Sequence, residues 1–143
     1  MEAFLVLCDA ANVDPTTGKV NMLGGGWSVT GPGASAAAVA GFLRMPWEGL
    51  GGAIRFALRL VDDAGQAVCP FVDSDKPLRF DGEFALPDLA VPDDAPKHVP
   101  LNIGFAIPLP PLPLTPGRAY RWVLEAGDRE AASVDFAVRP EKD

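Results

Sequence analysis

Apolar and polar positions alternate with a period of two along most of this chain, a pattern that predicts strands rather than helices. Ile54, Phe56, Leu58 and Leu60 point one way, while Arg55, Ala57 and Arg59 point the other. Leu78, Phe80, Phe84 and Leu86 alternate with Arg79, Asp81, Glu83 and Ala85 in the same way. The rhythm returns in Leu101, Ile103, Phe105 and Ile107, then in Tyr120, Trp122 and Leu124, and finally in Val134, Phe136 and Val138. One apolar face and one polar or small-residue face is what a strand covered on a single side requires.

Two earlier stretches, residues 4–11 and 36–43, are apolar on both faces. They predict central strands, or strands covered by something further. The alanines of 36–40 have the highest helix propensity in the chain. Gly31-Pro32-Gly33 before them and Gly41 among them oppose a helix, so a strand is expected there too.

The turn chemistry agrees with this reading. Residues 13–19 (Val-Asp-Pro-Thr-Thr-Gly-Lys) have the composition of a hairpin loop, with Pro15 fixing one torsion and Gly18 supplying a left-handed residue. Residues 62–65 and 126–129 read as two more turns. Turns at near-regular spacing between short strands, with no helical crossovers, predict an all-β fold: an antiparallel two-sheet sandwich of about seven to nine strands. Residues 1–143 are expected to form one such domain. In Pro116-Gly117-Arg118-Ala119-Tyr120 a Pro-Gly corner feeds a tyrosine at the start of a strand. That arrangement matches the tyrosine corner of immunoglobulin-like sandwiches, where the phenol bonds back to the backbone a few residues upstream.

Composition changes the picture mainly by exclusion. The 15 Gly and 15 Pro fall between apolar runs and follow no collagen period. A formal charge of −7 with no Lys/Arg run argues against nucleic acid and against anionic membrane surfaces. The apolar start, residues 3–8, lacks a basic n-region, carries Glu2 and is interrupted by Asp9, so an export signal is not expected. Leu7 before Cys8 does not suit a lipoprotein site either. A cytoplasmic location is the expectation, with Cys8 and Cys69 as buried thiols rather than a disulfide.

Candidate chemistry is sparse. Leu23-Gly24-Gly25-Gly26-Trp27-Ser28 lacks the Gly-Lys-Ser/Thr of a P-loop and the G-x-G-x-x-G of a dinucleotide loop. Gly24, Gly25, Gly26 and Trp27 are expected to form a bulge where another backbone or ring packs closely. The one histidine, His98, has no nucleophile motif beside it, and no catalytic residue, cofactor or metal is assigned. Acidic loop pairs (Asp62-Asp63, Asp73 with Asp75, Asp93-Asp94) are ordinary turn formers that could also offer oxygen ligands to calcium. Residues 108–114, rich in Pro and Leu, are expected to cross from one sheet to the other with their leucines capping the core. Trp47, in a Gly-rich loop, either plugs the end of the core or anchors a partner.

Met22 to Gly33 (M-L-G-G-G-W-S-V-T-G-P-G), Pro46-Trp47 and the late Leu-Pro-Leu, Pro-Gly and Tyr-Arg-Trp stretch carry a family resemblance. The chain resembles a group of small actinobacterial β-sandwich proteins with an L-G-G-G-W-S motif, a domain of unknown function. The resemblance implies kinship and no activity. The expected role is a non-catalytic interaction or structural module with a protein partner or a second copy of itself. The alternative is a ligand-binding domain taking Ca²⁺ or a carbohydrate at its loop ends.

Overall fold

A computed structural model of the chain describes residues 1–49, 51–85 and 98–142. Strand β1 (Glu2–Cys8) is followed by a short hairpin, β2 (Ala10–Val13) and β3 (Val20–Leu23), and by the two-residue β4 (Val29–Thr30). Then come β5 (Ala37–Met45), a 3₁₀ turn at Trp47–Gly49, β6 (Ala53–Asp62) and β7 (Arg79–Ala85). Strands β8 (Leu101–Leu109), β9 (Ala119–Ala126) and β10 (Arg129–Val138) complete the order, with no α-helix among the described residues. The ten strands among the described residues exceed the expected seven to nine because the hairpin and β4 are additions between β1 and β5. Leu86, expected to continue β7, lies outside the described residues.

Two larger sheets result, ordered β1-β5-β8 and β4-β10-β9-β6-β7, and the β2-β3 hairpin forms a small third one. Pairing is antiparallel except where β4 runs parallel to β10, which corrects the purely antiparallel expectation. The inward positions of both large sheets meet in one cluster. Leu7, Val39, Leu43, Phe105 and Leu109 come from the first sheet, and Leu58, Leu60, Trp122, Leu124, Phe136 and Val138 from the second. Each fully buried Leu or Val stabilises the fold by roughly 1.5–3 kcal/mol relative to exposure. No polar or charged residue is buried among the described residues.

The stretches apolar on both faces are explained by the hairpin. Strand β5 is central in its sheet, as expected; β1 is not, and it stops at Cys8 because residues 4–11 are two strands broken at Asp9. After Asp9 the chain doubles back, and β2 lies against β8 and β5. Ala11, Val13, Val20 and Met22 form the hairpin's half-buried face, while Ala10, Asn12, Asn21 and Leu23 are exposed. The surface underneath is made of small residues. Ala38 and Ala40 on β5 are buried, and a Cβ on Gly104 would stand 2.4 Å from Val20 Cγ2. Only a residue without a side chain lets the hairpin approach that closely.

The turns follow their residues. Asp14 Oδ1 accepts the amides of Thr16 and Thr17 in the β2–β3 loop. Gly127 and Asp128 both take positive φ, 59° and 66°, as a two-residue hairpin turn whose twist matches its strands demands.

Candidate functional site

The sequence motifs gather at one end of the molecule. Trp27 meets Phe136 edge-on, with ring centroids 5.9 Å apart and planes at 87°. On the same Phe136 ring Tyr120 stacks at 5.7 Å. The Tyr120 hydroxyl accepts the Thr115 amide at 3.0 Å, the backward bond that a tyrosine corner uses. Pro116 and Gly117 form the preceding turn, with the Gly117 amide donating to the Val138 carbonyl. The connection after β8 does cross from one sheet to the other, and its Leu112 and Leu114 pack against the core.

The glycine run is a turn rather than a bulge within a strand. Gly24 and Gly26 have φ of 60° and 90°, and the Gly26 amide donates to the Leu7 carbonyl. A Cβ on Gly24 would overlap the Asp9 carboxylate, so two chain reversals pack against each other there. This turn carries the chain from the hairpin on the outer face back to Trp27 at the end of the core.

Between Trp27, the crossover and the core lies a cavity of about 50 Å³, open to solvent on one side. Trp27, Leu109, Leu112, Trp122, Phe136 and Val138 supply most of its apolar lining, with Gly33, Ala34 and Ser35 along the rim. The Trp27 indole nitrogen is buried and has no hydrogen-bond partner among the described residues.

Other candidates are dispersed. Trp47 sits beyond β5 at the opposite end, half-buried, its indole N–H donating to the Val99 carbonyl at 2.8 Å. His98 is exposed nearby in sequence. Cys8 is buried under the glycine turn, and burial pushes its thiol pKa up, which disfavours the nucleophilic thiolate. Cys69, expected to be buried, is exposed: β6 ends at Asp62, and Cys69 falls in the following loop with its thiol donating to the Asp75 carbonyl at 3.3 Å. Both thiols are free.

The loop acids work locally. Asp62 Oδ1 accepts the amides of Ala64 and Gln66, and Asp63 pairs with Arg118 at 3.3 Å. No group of three potential metal ligands assembles among the described residues, and Asp93-Asp94 lies outside them.

Sequence reasoning missed one exposed feature. Phe4, on the outer face of β1, is 45 % exposed, and the Arg44 guanidinium sits 5.3 Å from its ring centroid. Arg44 also reaches Glu2 at 3.4 Å, and the register places Glu2 beside Arg44 and Arg44 beside Asn102. The three residues lie far apart in sequence, and only strand register reveals the cluster.

Fold and site define an all-β chain of several sheets, the two larger sharing one core, with an apolar end cavity and no helix long and apolar enough to cross a membrane among the described residues. The match of residues 3–139 to a family of unknown function (DUF6941) makes the chain a member of that family. No curated protein and no solved structure matches it.

Proposed function

We propose that the chain is a non-catalytic interaction module built on an immunoglobulin-like sandwich, and that it self-associates through the outer face around Phe4. Strand order supports the architecture. Sheets ordered β1-β5-β8 and β10-β9-β6 follow the A-B-E and G-F-C orders of immunoglobulin-type domains. Tyr120 opens the strand equivalent to F, and the buried Trp122 two residues on takes the place of that strand's cysteine.

The observation that carries the interaction reading is the Phe4–Arg44 pair. The hairpin covers the small residues of this face and leaves an aromatic ring exposed beneath a guanidinium. Aromatic residues and arginine dominate binding energy at protein interfaces. The raised pKa of Cys8 and the turn-forming role of Asp62 support a non-catalytic reading. Two unbridged thiols support a cytoplasmic setting.

Sedimentation velocity from micromolar to millimolar concentration tests the proposal. The 15.0 kDa chain is expected to shift towards a dimer as concentration rises, and Phe4→Asp is expected to abolish that shift without unfolding the chain. A wild-type chain that stays monomeric throughout overturns self-association.

A further inference from the structure

Antiparallel register sets the outward residues of β1 and β5 side by side in pairs. Glu2 stands beside Arg44, Phe4 beside Phe42 and Val6 beside Ala40. Ala3, Leu5 and Leu7 turn the other way and pack on the core, which fixes Glu2, Phe4 and Val6 on the outer face. Phe4 is exposed, Phe42 and Val6 are half-buried, and Ala40 is buried beneath the hairpin. An apolar strip therefore runs from the margin of the hairpin to a charged row at the end of the strands. An apolar centre with a polar rim is the anatomy of a protein interface.

We propose that this face is its own complement. A two-fold axis parallel to the strands, between β1 and β5, sets Glu2 of one copy against Arg44 of the other and Phe4 against Phe42, a mode of contact that rests on the Phe4 face being an interface.

The charges select a second copy as the occupant. In an isologous contact, residue i of one copy meets residue j of the other, and j meets i. Rotation about the axis between β1 and β5 exchanges the two members of every register pair, so Glu2 and Arg44 each face the opposite sign. The four charges then alternate in sign around a square. Their side chains are 66 % and 44 % exposed, so both remain within reach of a partner although they already pair within the chain. A chain of formal charge −7 repels its own copies on the whole, whereas this row is locally neutral and matched to itself. A row of one sign would instead select a partner of the other sign. The hairpin leaves room for the contact. It lies on β5 and β8, so the rotation carries the partner's hairpin to the β1 side, clear of the first. Its outward residues, Ala10, Asn12, Asn21 and the exposed Leu23, bring no charge against β1.

Charge exchange tests the match by sedimentation velocity. Glu2→Arg puts four cations in the square and Arg44→Glu puts four anions there. Each variant alone is expected to weaken the dimer at least about tenfold, because like charges are set against one another across the contact. An equimolar mixture of the two is expected to recover the dimer as mixed pairs, counted by native mass spectrometry with one variant isotopically labelled. The doubly exchanged chain, Glu2→Arg with Arg44→Glu, keeps the pairing within and between copies and should dimerise like wild type. An ion pair that only steadied its own strands would also be restored in the doubly exchanged chain, but it would leave the mixture no better than its components. A mixture that stays monomeric, a single variant that dimerises like wild type, or a doubly exchanged chain that does not dimerise overturns the proposed match. If wild type still dimerises in that case and Phe4→Asp abolishes it, the Phe4 face stands and only the mode of contact falls. A monomeric wild-type chain removes both.

Discussion

The outer faces of the two large sheets make opposite use of the same pleated backbone. On the β1-β5-β8 sheet the outward positions at the centre are Ala38 and Ala40, with Gly104 and Ala106 beside them, and the β2-β3 hairpin lies across them. On the β7-β6-β9-β10 sheet the outward positions are charged: Arg55 pairs with Glu83, Arg59 with Glu125 and Arg121 with Asp135 across strands, and Arg79 pairs with Asp81 along β7. Arg59 meets Glu125 at 2.8 Å and Arg121 meets Asp135 at 2.6 Å. Small residues leave room for a covering element and require one, since a bare alanine and glycine face would be an apolar patch. Long charged residues need no cover and discourage a second sheet from stacking. The outward residues of each sheet thus state whether something is to lie on it.

The sharpest way to break this comparison is to give the covered face the chemistry of the open one. Ala40 is fully buried beneath the hairpin. Ala40→Glu should destabilise by about 3–5 kcal/mol, the scale of an uncompensated buried charge, and urea unfolding should show the midpoint collapse. A loss under 1 kcal/mol would mean that the hairpin lifts away freely and that the cover is incidental. A gentler wedge is Gly104→Val, which must push Val20 and the Gly18 carbonyl aside. Overpacking of this kind costs about 1–3 kcal/mol, and faster amide exchange should be confined to the hairpin and its neighbours.

Much of the architecture was legible because one-sided strands write their burial into every second residue. The run from Ile54 to Leu60 and that from Tyr120 to Leu124 are core-facing strands in the places expected. The both-sided stretch 36–43 signals a cover and residues 13–19 signal a hairpin loop, but nothing local says that the hairpin is the cover. Asp9 is a lone polar residue in the apolar run 4–11, so that run reads as one strand although the chain turns at Asp9 and Ala10 and Ala11 already belong to β2. Cys69 is exposed because a free thiol need not be a buried one: it falls in the loop after β6, near the fully exposed Val72. The candidate sites were less legible still. The cavity joins Trp27 to Leu112 and Phe136, and the Phe4 cluster joins Glu2 to Arg44 and Asn102. Such groupings depend on register and on long-range closure, which local periodicity does not encode.

Between the two faces stands the crossover that links them, and Tyr120 measures how firmly it is pinned. Tyr120→Phe keeps the ring stacked on Phe136 and removes only the acceptor used by the Thr115 amide. The expected loss is about 0.5–1.5 kcal/mol, visible as a lowered Tm. An unchanged Tm would count against a structural role for the corner.

The open face should yield least of all. Arg59 and Glu125 sit on adjacent strands, β6 and β9, with side chains 34 % and 37 % exposed, at the best-shielded ion pair of that face. Its guanidinium Nε donates to Glu125 Oε1 in good geometry, but water and salt still reach both groups. A double-mutant cycle with Arg59→Ala and Glu125→Ala should therefore give a coupling energy of only about 0.2–1 kcal/mol, shrinking as salt is raised. That weakness is the point of the comparison. A face whose charges each contribute so little is there to stay wet and unpaired with other sheets, whereas a single carboxylate under the hairpin should cost several times more. A coupling above 2 kcal/mol would show that the ion pairs bind the sheet together, and the contrast between a covered face and a merely solvated one would have to be abandoned.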